Sequence, residues 1–483
     1  MPKSSTEDLE SFLRRQDAGA LIEVLLELAH DHEPVRARLA RMQLASRPDK
    51  LAAAFKKTLT SWKRSTRYYE YREASAFGRQ LEDWLDQVAH ELQPMDPGAA
   101  VALFEAFIEA DAAWFDRADD SDGAIGNAVR SACQHWLQAA AACETPADVW
   151  AERLFKLYDG DEYGAREHLL RHAHLLLDEA ALRRLVAVGE SRLVEALAKS
   201  AGVSTASRVP YEVISAASAL SLLSESLRDP DIRVRATLQY SPNPNPLQRQ
   251  DFVRAYMDAD RPADALAWLQ ESWGHLEGSR QSLLSEVLER LGRFEESLPI
   301  RQRAFEESLS VFDLERWLEH MPLLSQPQAR DHARQMALDH ESPAPAATLL
   351  LHLGETEAAE SRLLTGASLL DGRSYESLVP LAKALRSHDC PRGEAAIYRA
   401  LLMCILDRAN STAYGHAARY WARLDEIAAA GTSLEPLPPH EAFVGEIRTR
   451  HARKTAFWAR VSGTRRVEPD AGGAAEADED LLA

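Results

Sequence analysis

Three histidines and a glutamate stand together at Glu167, His168, His172 and His174. On a helix His168 and His172 share a face, the arrangement in which two imidazoles hold one zinc ion. A hydrolytic zinc helix also needs a glutamate directly after the first histidine, as the base that activates metal-bound water. Here the order is Glu-His-Leu-Leu-Arg-His, so the base is missing from its place and the pair reads as structural or interfacial. A second concentration of ligand-type side chains is Asp119-Asp120-Ser121-Asp122-Gly123. Were Gly123 the glycine of a calcium loop, that loop would begin at Ala118 and end at Val129, neither of which offers an oxygen side chain. Asp119, Asp120, Asp122 and Gly123 are then expected to form a turn whose carboxylates cap a helix starting near Ala124.

No glycine-rich phosphate loop, nucleophile elbow or dinucleotide fingerprint is present. Cys133 and Cys143 lie ten residues apart and Cys390 and Cys404 fourteen, so no pair has the spacing of a zinc knuckle or redox motif. These thiols are expected to be small buried apolar residues. No catalytic, metal-binding or cofactor-binding residue is assigned, and a non-enzymatic protein is the expectation.

Charge is the more informative chemistry. The 483-residue chain has a formal net charge of −19, which argues against indiscriminate nucleic-acid binding by the whole molecule. Yet residues 36–72 carry eleven Lys/Arg against Asp49 and Glu70, a local +9, and residues 448–466 carry seven and no acid. Taking out these +9 and +7 leaves −35 on the remainder. In the first segment Leu51, Phe55, Leu59 and Trp62 form an apolar helix face, while Lys50, Lys57 and Arg64 recur every seventh residue. Lys56, Lys63 and Arg67 broaden that stripe, and Tyr68, Tyr69 and Tyr71 follow it. Cations interleaved with aromatics suit phosphate contact with base stacking. An acidic protein surface fits the charge equally well, and a solvated helix face with its tyrosines in the core is the plainest alternative. The second segment is expected to be one amphipathic helix. Its Ile447, Ala452, Phe457 and Trp458 would dock inward, and Arg448, Arg450, Arg453 and Lys454 would face out, capping the end of a helical array.

The elements that position these groups are helices almost everywhere. Leu and Ala dominate the apolar residues, and the helical period recurs, as in Leu21, Val24, Leu25, Leu28 and Ala29 before the break at Pro34. Helices are expected over residues 49–67, 71–92, 97–115, 124–143, 147–158, 165–177 and 178–200. Thr145-Pro146 is a helix start signal, residues 201–210 are a weaker polar break, and Pro242-Asn243-Pro244-Asn245-Pro246 is a firm one. Beyond Pro246 a degenerate tetratricopeptide-like register emerges, with small anchors at Ala265, Ser297, Ala359 and Ala396 and a further one possible in position at Ala329. The expected architecture is all-α: a solenoid of stacked antiparallel helical hairpins. It divides into an N-terminal hairpin region (1–205), a joint (206–246), a repeat region (247–466) and a disordered acidic tail (467–483). No apolar run reaches the roughly 18–20 residues that cross a bilayer. The first eight residues have no apolar core after a basic start, so no membrane contact and a cytoplasmic location are expected.

Tyr71-Arg72-Glu73-Ala74, the run from Asp119 through Gly123 to Ala124-Ile125-Gly126, and His451-Ala452-Arg453-Lys454-Thr455-Ala456-Phe457-Trp458 together resemble an uncharacterised bacterial family of helical proteins. That family is similar to the helical region that follows the zinc finger in bacterial SWIM-type proteins. The finger itself, Cys-x-Cys followed by Cys-x-His, is absent, so its zinc and DNA roles do not carry over. The resemblance implies a bacterial cytoplasmic protein and an all-helical fold, and no activity. On these grounds the leading expectation is an interaction scaffold with an unidentified protein partner. A nucleic-acid-associated protein using residues 36–72 is the alternative.

Overall fold

The computed structural model describes residues 11–44, 47–200 and 209–464. The acidic stretch from Val467, with Arg465 and Arg466 before it, lies outside them. The fold is all-α: the described residues form helices and turns, with one isolated parallel bridge between Tyr69 and Ala118. No described helix is long and apolar enough to cross a membrane.

The chain divides into two compact units, Met1–Trp268 and Leu269–Ala483. The first holds α1 (Ala18–Asp31), α2 (Glu33–Met42), α3 (Pro48–Arg64), α4 (Tyr71–Gln87), α5 (Pro97–Ile108), α6 (Asp111–Phe115) and α7 (Ala124–Ala141). It continues with α8 (Ala147–Asp159), α9 (His168–Arg171), α10 (Glu179–Ser200), α11 (Tyr211–Leu227), α12 (Pro230–Tyr240), α13 (Pro246–Asp258) and α14 (Pro262–Ala267). Its core is aromatic, with Trp84, Phe104, Phe107, Trp114 and Trp136 buried together. α4 and α5 both pack on α7. Gly78 permits the first of these contacts, since a Cβ there would lie 2.7 Å from the Cβ of Ala124. A buried ion pair crosses the same core: Arg166 grips Asp111 through Nε and Nη2, both at 2.7 Å.

The second unit holds α15 (Glu277–Arg290), α16 (Phe294–Ser308), α17 (Val311–Glu319), α18 (Gln326–Asp339), α19 (Pro343–His352) and α20 (Thr356–Thr365). After these come α21 (Tyr375–Ser387), α22 (Pro391–Asp407), α23 (Tyr414–Ala429), α24 (His440–Arg450) and α25 (Thr455–Thr464). Helices pack on their sequence neighbours and on the next but one, as α19 does on α20 and α21. The core between them is Leu- and Ala-rich.

One turn recurs in both units. Arg228, Asp260, Gly292, Gly354 and Asp389 each take a left-handed conformation, with φ between 51° and 81°. After each of them the next backbone N–H reaches back to close the helix, as Arg261 does to Tyr256 at 2.8 Å and Arg293 to Leu288 at 2.8 Å. A new helix starts two residues beyond every one of these turns. Arg228, Asp260 and Gly292 are spaced by 32 residues. Arg228 carries no turn signal, so the register begins earlier than the sequence indicates. The anchors Ala265, Ser297 and Ala359 lie five residues past their turns and are buried. The equivalent residue after Asp389 is Glu394, not Ala396, which is buried but two positions out of step. Ala329 is also buried, but its helix does not follow such a turn.

Carboxylates beside these turns gather arginines. Glu225 pairs with Arg171 and Arg233, Glu289 with Arg301 and Arg316, and Glu394 with Arg386 and Arg423. Each carboxylate is thereby tied to a helix of its own hairpin and to a helix of another.

Candidate interaction surface

The basic face of α3 is set by what its other face buries. Leu51, Phe55 and Leu59 are buried, and the half-buried Trp62 meets Phe77 and Trp84 edge-on at 6.4 and 6.0 Å. Phe55 meets Trp84 at 6.0 Å, so the rotation of the helix is fixed by aromatic packing. Lys50, Lys56, Lys57, Lys63 and Arg64 are consequently exposed, and none has an ion-pair partner among the described residues. Arg117 reinforces the charge at the helix end. Its Nη1 and Nη2 donate to the carbonyls of Trp62 and Lys63 at 2.8 and 2.9 Å, where the helix dipole favours a cation.

Arg67 belongs elsewhere. It pairs with Glu73 at 2.8 Å and lies over the Tyr69 ring at 4.9 Å. The three tyrosines divide. Tyr69 stacks on Phe77 at 4.1 Å, and its backbone exchanges hydrogen bonds with Arg117 and Asp119. Tyr68 and Tyr71 are 56% and 54% exposed.

Ahead of this face in sequence, beyond α2, α1 presents an apolar surface. α1 buries only Ala29. Ile22, Val24, Leu25, Leu26 and Leu28 are exposed, Leu26 by 62%. Ile22 and Leu26 lie outside the Leu21/Val24/Leu25/Leu28 stripe, so α1 is apolar around more of its circumference than one core contact requires. α1 packs on α2, and Arg41 of α2 lies over Phe55 of α3 at 5.4 Å and pairs with Glu91 at 2.9 Å. The hairpin that carries α1 therefore touches the basic helix through Arg41.

The second basic segment is not one helix. α24 ends at Arg450 and α25 begins at Thr455. The break follows from His451, which is buried against Asp407 at 3.2 Å, while its carbonyl accepts Trp458 Nε1 at 3.0 Å. Ile447 and Phe457 are buried and Trp458 is half-buried, as expected, but Ala452 is exposed. Arg450 pairs with Asp407 at 3.0 Å, and Lys454 is half-buried with its Nζ 3.5 Å from the Tyr414 hydroxyl. Arg448 and Arg453 are exposed. Arg450 and Lys454 thus have partners inside the unit.

The Asp119–Asp122 turn is occupied by capping. Asp120 accepts from the amides of Ile125 and Gly126 at 2.7 and 2.9 Å. Asp122 accepts from Ala124 and from the Ser75 hydroxyl, which holds its carboxyl below the usual range. Asp119 accepts from Ser121, and Gly123 takes the left-handed conformation, φ 76°. The histidines do not share one helix, because α9 ends at Arg171. Their rings still meet, His168 with His172 at 4.9 Å and His172 with His174 at 6.0 Å. Burial pushes the His168 imidazole down to about 4 and lowers His172 as well. Among the described residues no group of three or more His, Cys, Asp or Glu is placed to hold a metal ion.

The chain matches a family of unknown function, DUF6880, over residues 10–460, and belongs to that family. No curated protein and no solved structure matches it.

Proposed function

We propose that this member of DUF6880 is a non-enzymatic interaction scaffold, a helical solenoid of tetratricopeptide-like hairpins whose N-terminal end receives an acidic, amphipathic segment of another protein. The observation that carries the reading is α1, which exposes Ile22, Val24, Leu25, Leu26 and Leu28 together. Apolar side chains clustered on a surface mark sites where another chain covers them. The exposed lysines of α3, the helix that Arg41 of this hairpin touches, call for a partner with carboxylates beside its apolar stripe. A bacterial cytoplasmic setting and kinship with the helical region of SWIM-type proteins belong to the same reading.

A photo-crosslinking residue at Leu26 tests it, with one at Leu323, an exposed leucine of the second unit, as control. The expected product is a protein crosslinked at residue 26 alone. Its purified form should bind the parent chain and lose most of its affinity for Leu26→Glu and for Lys50→Glu/Lys57→Glu/Arg64→Glu. Equal binding to all three proteins would sink the proposal.

A nucleic-acid reading is favoured by one observation, the exposed Tyr68 and Tyr71 beside Lys63 and Arg64. Fluorescence anisotropy with short DNA and RNA, titrated over salt, decides between the two. Phosphate contact at three cations would flatten the log–log salt slope by about 2–3 in the triple variant. No binding at low salt removes this reading.

A further inference from the structure

Three arginines meet well-shielded carboxylates in one manner. Arg166 turns its Nε/Nη2 edge to Asp111, Arg301 to Glu289 at 2.7 and 2.9 Å, and Arg423 to Glu394 at 2.9 Å for both atoms. That edge is the planar fork that matches two carboxylate oxygens. Arg399 on α22 departs from the pattern. It is only 7% exposed, its Nη1 donates to the Pro438 carbonyl at 2.8 Å, and its guanidinium lies over the Phe443 ring at 4.6 Å. Its Nε and Nη2 have no hydrogen-bond partner among the described residues. Burial alone lowers its pKa, and no carboxylate offsets that effect. An unpaired buried cation is among the costliest groups a fold can hold, and an apolar side chain of similar length would be more stable there.

Arg399 lines a cavity of about 450 Å³ within the second unit. Leu370, Ala396, Met403, Leu437 and Phe443 give it apolar walls. Two acids share the lining, and both already face cations: Asp407 is held by Arg450 and His451, and Asp371 lies 4.0 Å from Arg373. Arg373 and Arg408 are exposed members of the same lining, so the balance of charge there favours an anion.

We propose that this cavity binds a small organic carboxylate with an apolar body, the carboxylate meeting the Nε/Nη2 edge of Arg399 and the body lying against the apolar walls. The volume is in the range of small-molecule sites. The apolar walls would add nothing for inorganic phosphate, which has no apolar body to lie against them. Nε and Nη2 are shielded from solvent where the guanidinium lies, and the bond to Pro438 is its one hydrogen bond there. A carboxylate replaces that single contact with two charge-assisted ones as the side chain swings on its flexible stem.

Calorimetric titration of the full chain with octanoate, benzoate, octanamide and inorganic phosphate tests this. Octanoate or benzoate should bind, and octanamide should bind about tenfold more weakly or worse, for want of a charge to pair. Arg399→Met should fold with an unchanged or higher Tm and treat octanoate no better than the amide. Should Arg399→Met fail to fold, Arg399→Lys, which keeps the charge and loses the fork, carries the same comparison with the parent. Carboxylate binding that is equal in the variants, that is matched by octanamide, or that is absent while phosphate binds overturns the proposal. Failure of every carboxylate to bind also overturns it.

Discussion

The basic face of α3 and the hairpin turns of the second unit use cations in opposite ways. On α3 the cations are mostly lysines, they project from a helix whose rotation is fixed by Phe55 and Trp62, and they meet no acid among the described residues. In the second unit arginines hold Glu289, Glu360 and Glu394, carboxylates that are buried or nearly so. The difference follows from the side chains. A guanidinium is planar and meets two oxygens at once, so it can fasten a carboxylate out of water. An ammonium is a strongly hydrated point charge and is costlier to bury. Net charge therefore says little about either region. What separates them is whether the cation has a fixed partner inside the fold.

The largest test of that difference lies in the first unit, at the buried pair of Arg166 and Asp111. Asp111→Ala leaves Arg166 buried without its carboxylate and should cost about 3–5 kcal/mol. Asp111→Leu/Arg166→Met should restore most of that loss, as urea denaturation of both variants would show. If the single substitution were as mild as a surface change, pairing would not be what makes internal arginines tolerable. Glu394→Gln comes next. The carboxylate is 1% exposed and serves Arg386 and Arg423, themselves half-open to solvent, so a loss of about 2 kcal/mol is expected.

Glu394 also shows where the sequence stops being legible. Helices were readable from period and from breakers: the apolar face of α3, the start near Thr145-Pro146 and the break at residues 242–246 ahead of α13 all follow local rules. Gly292 and Gly354 announced their turns because glycine is the residue that accepts a positive φ cheaply. Arg228, Asp260 and Asp389 take the same conformation without a glycine to announce it, and the register was missed at Arg228 and shifted by two at Glu394. The break at His451 depends on Asp407, and the Arg399 cavity on Pro438 and Phe443. Those partners are distant in sequence, where periodicity carries no information. On α3 the exposed lysines could be read from the helix itself, but the absence of partners could not.

The histidines add a third class of basic group, one that the fold keeps neutral. Burial holds His168 near pKa 4, against an ordinary value near 6.5, and lowers His172 too. At His168 the unfolded chain therefore takes up a proton below about pH 6.5 while the folded one does not until near 4. Its stabilising effect is whole above pH 6.5, declines as the pH falls through that window and levels off below about 4, and His172 acts in the same direction. The His168 ring is partly exposed, so its share is under about 1 kcal/mol after solvent screening. Urea denaturation at pH 7, 5.5 and 4.5 should show the decline, and His168→Phe should reduce its slope. A slope unchanged by that substitution would assign the pH dependence to other groups.

The smallest expected effect discriminates best between the two regions. Exchanging the cations in place, Lys57→Arg on α3 and Arg423→Lys on α23, preserves charge at both sites. Lys57 has no internal partner to lose, so its exchange should leave stability within about 0.5 kcal/mol. Arg423 meets Glu394 through two parallel bonds at 2.9 Å, and lysine can supply only one of them. A loss of about 1 kcal/mol is expected there. Equal effects at the two sites would mean that charge alone is what each region uses, and the contrast between fastened and presented cations would fall. Unequal effects would assign the cations of the second unit to holding hairpins together, and would leave those of α3 without a structural reason for being where they are.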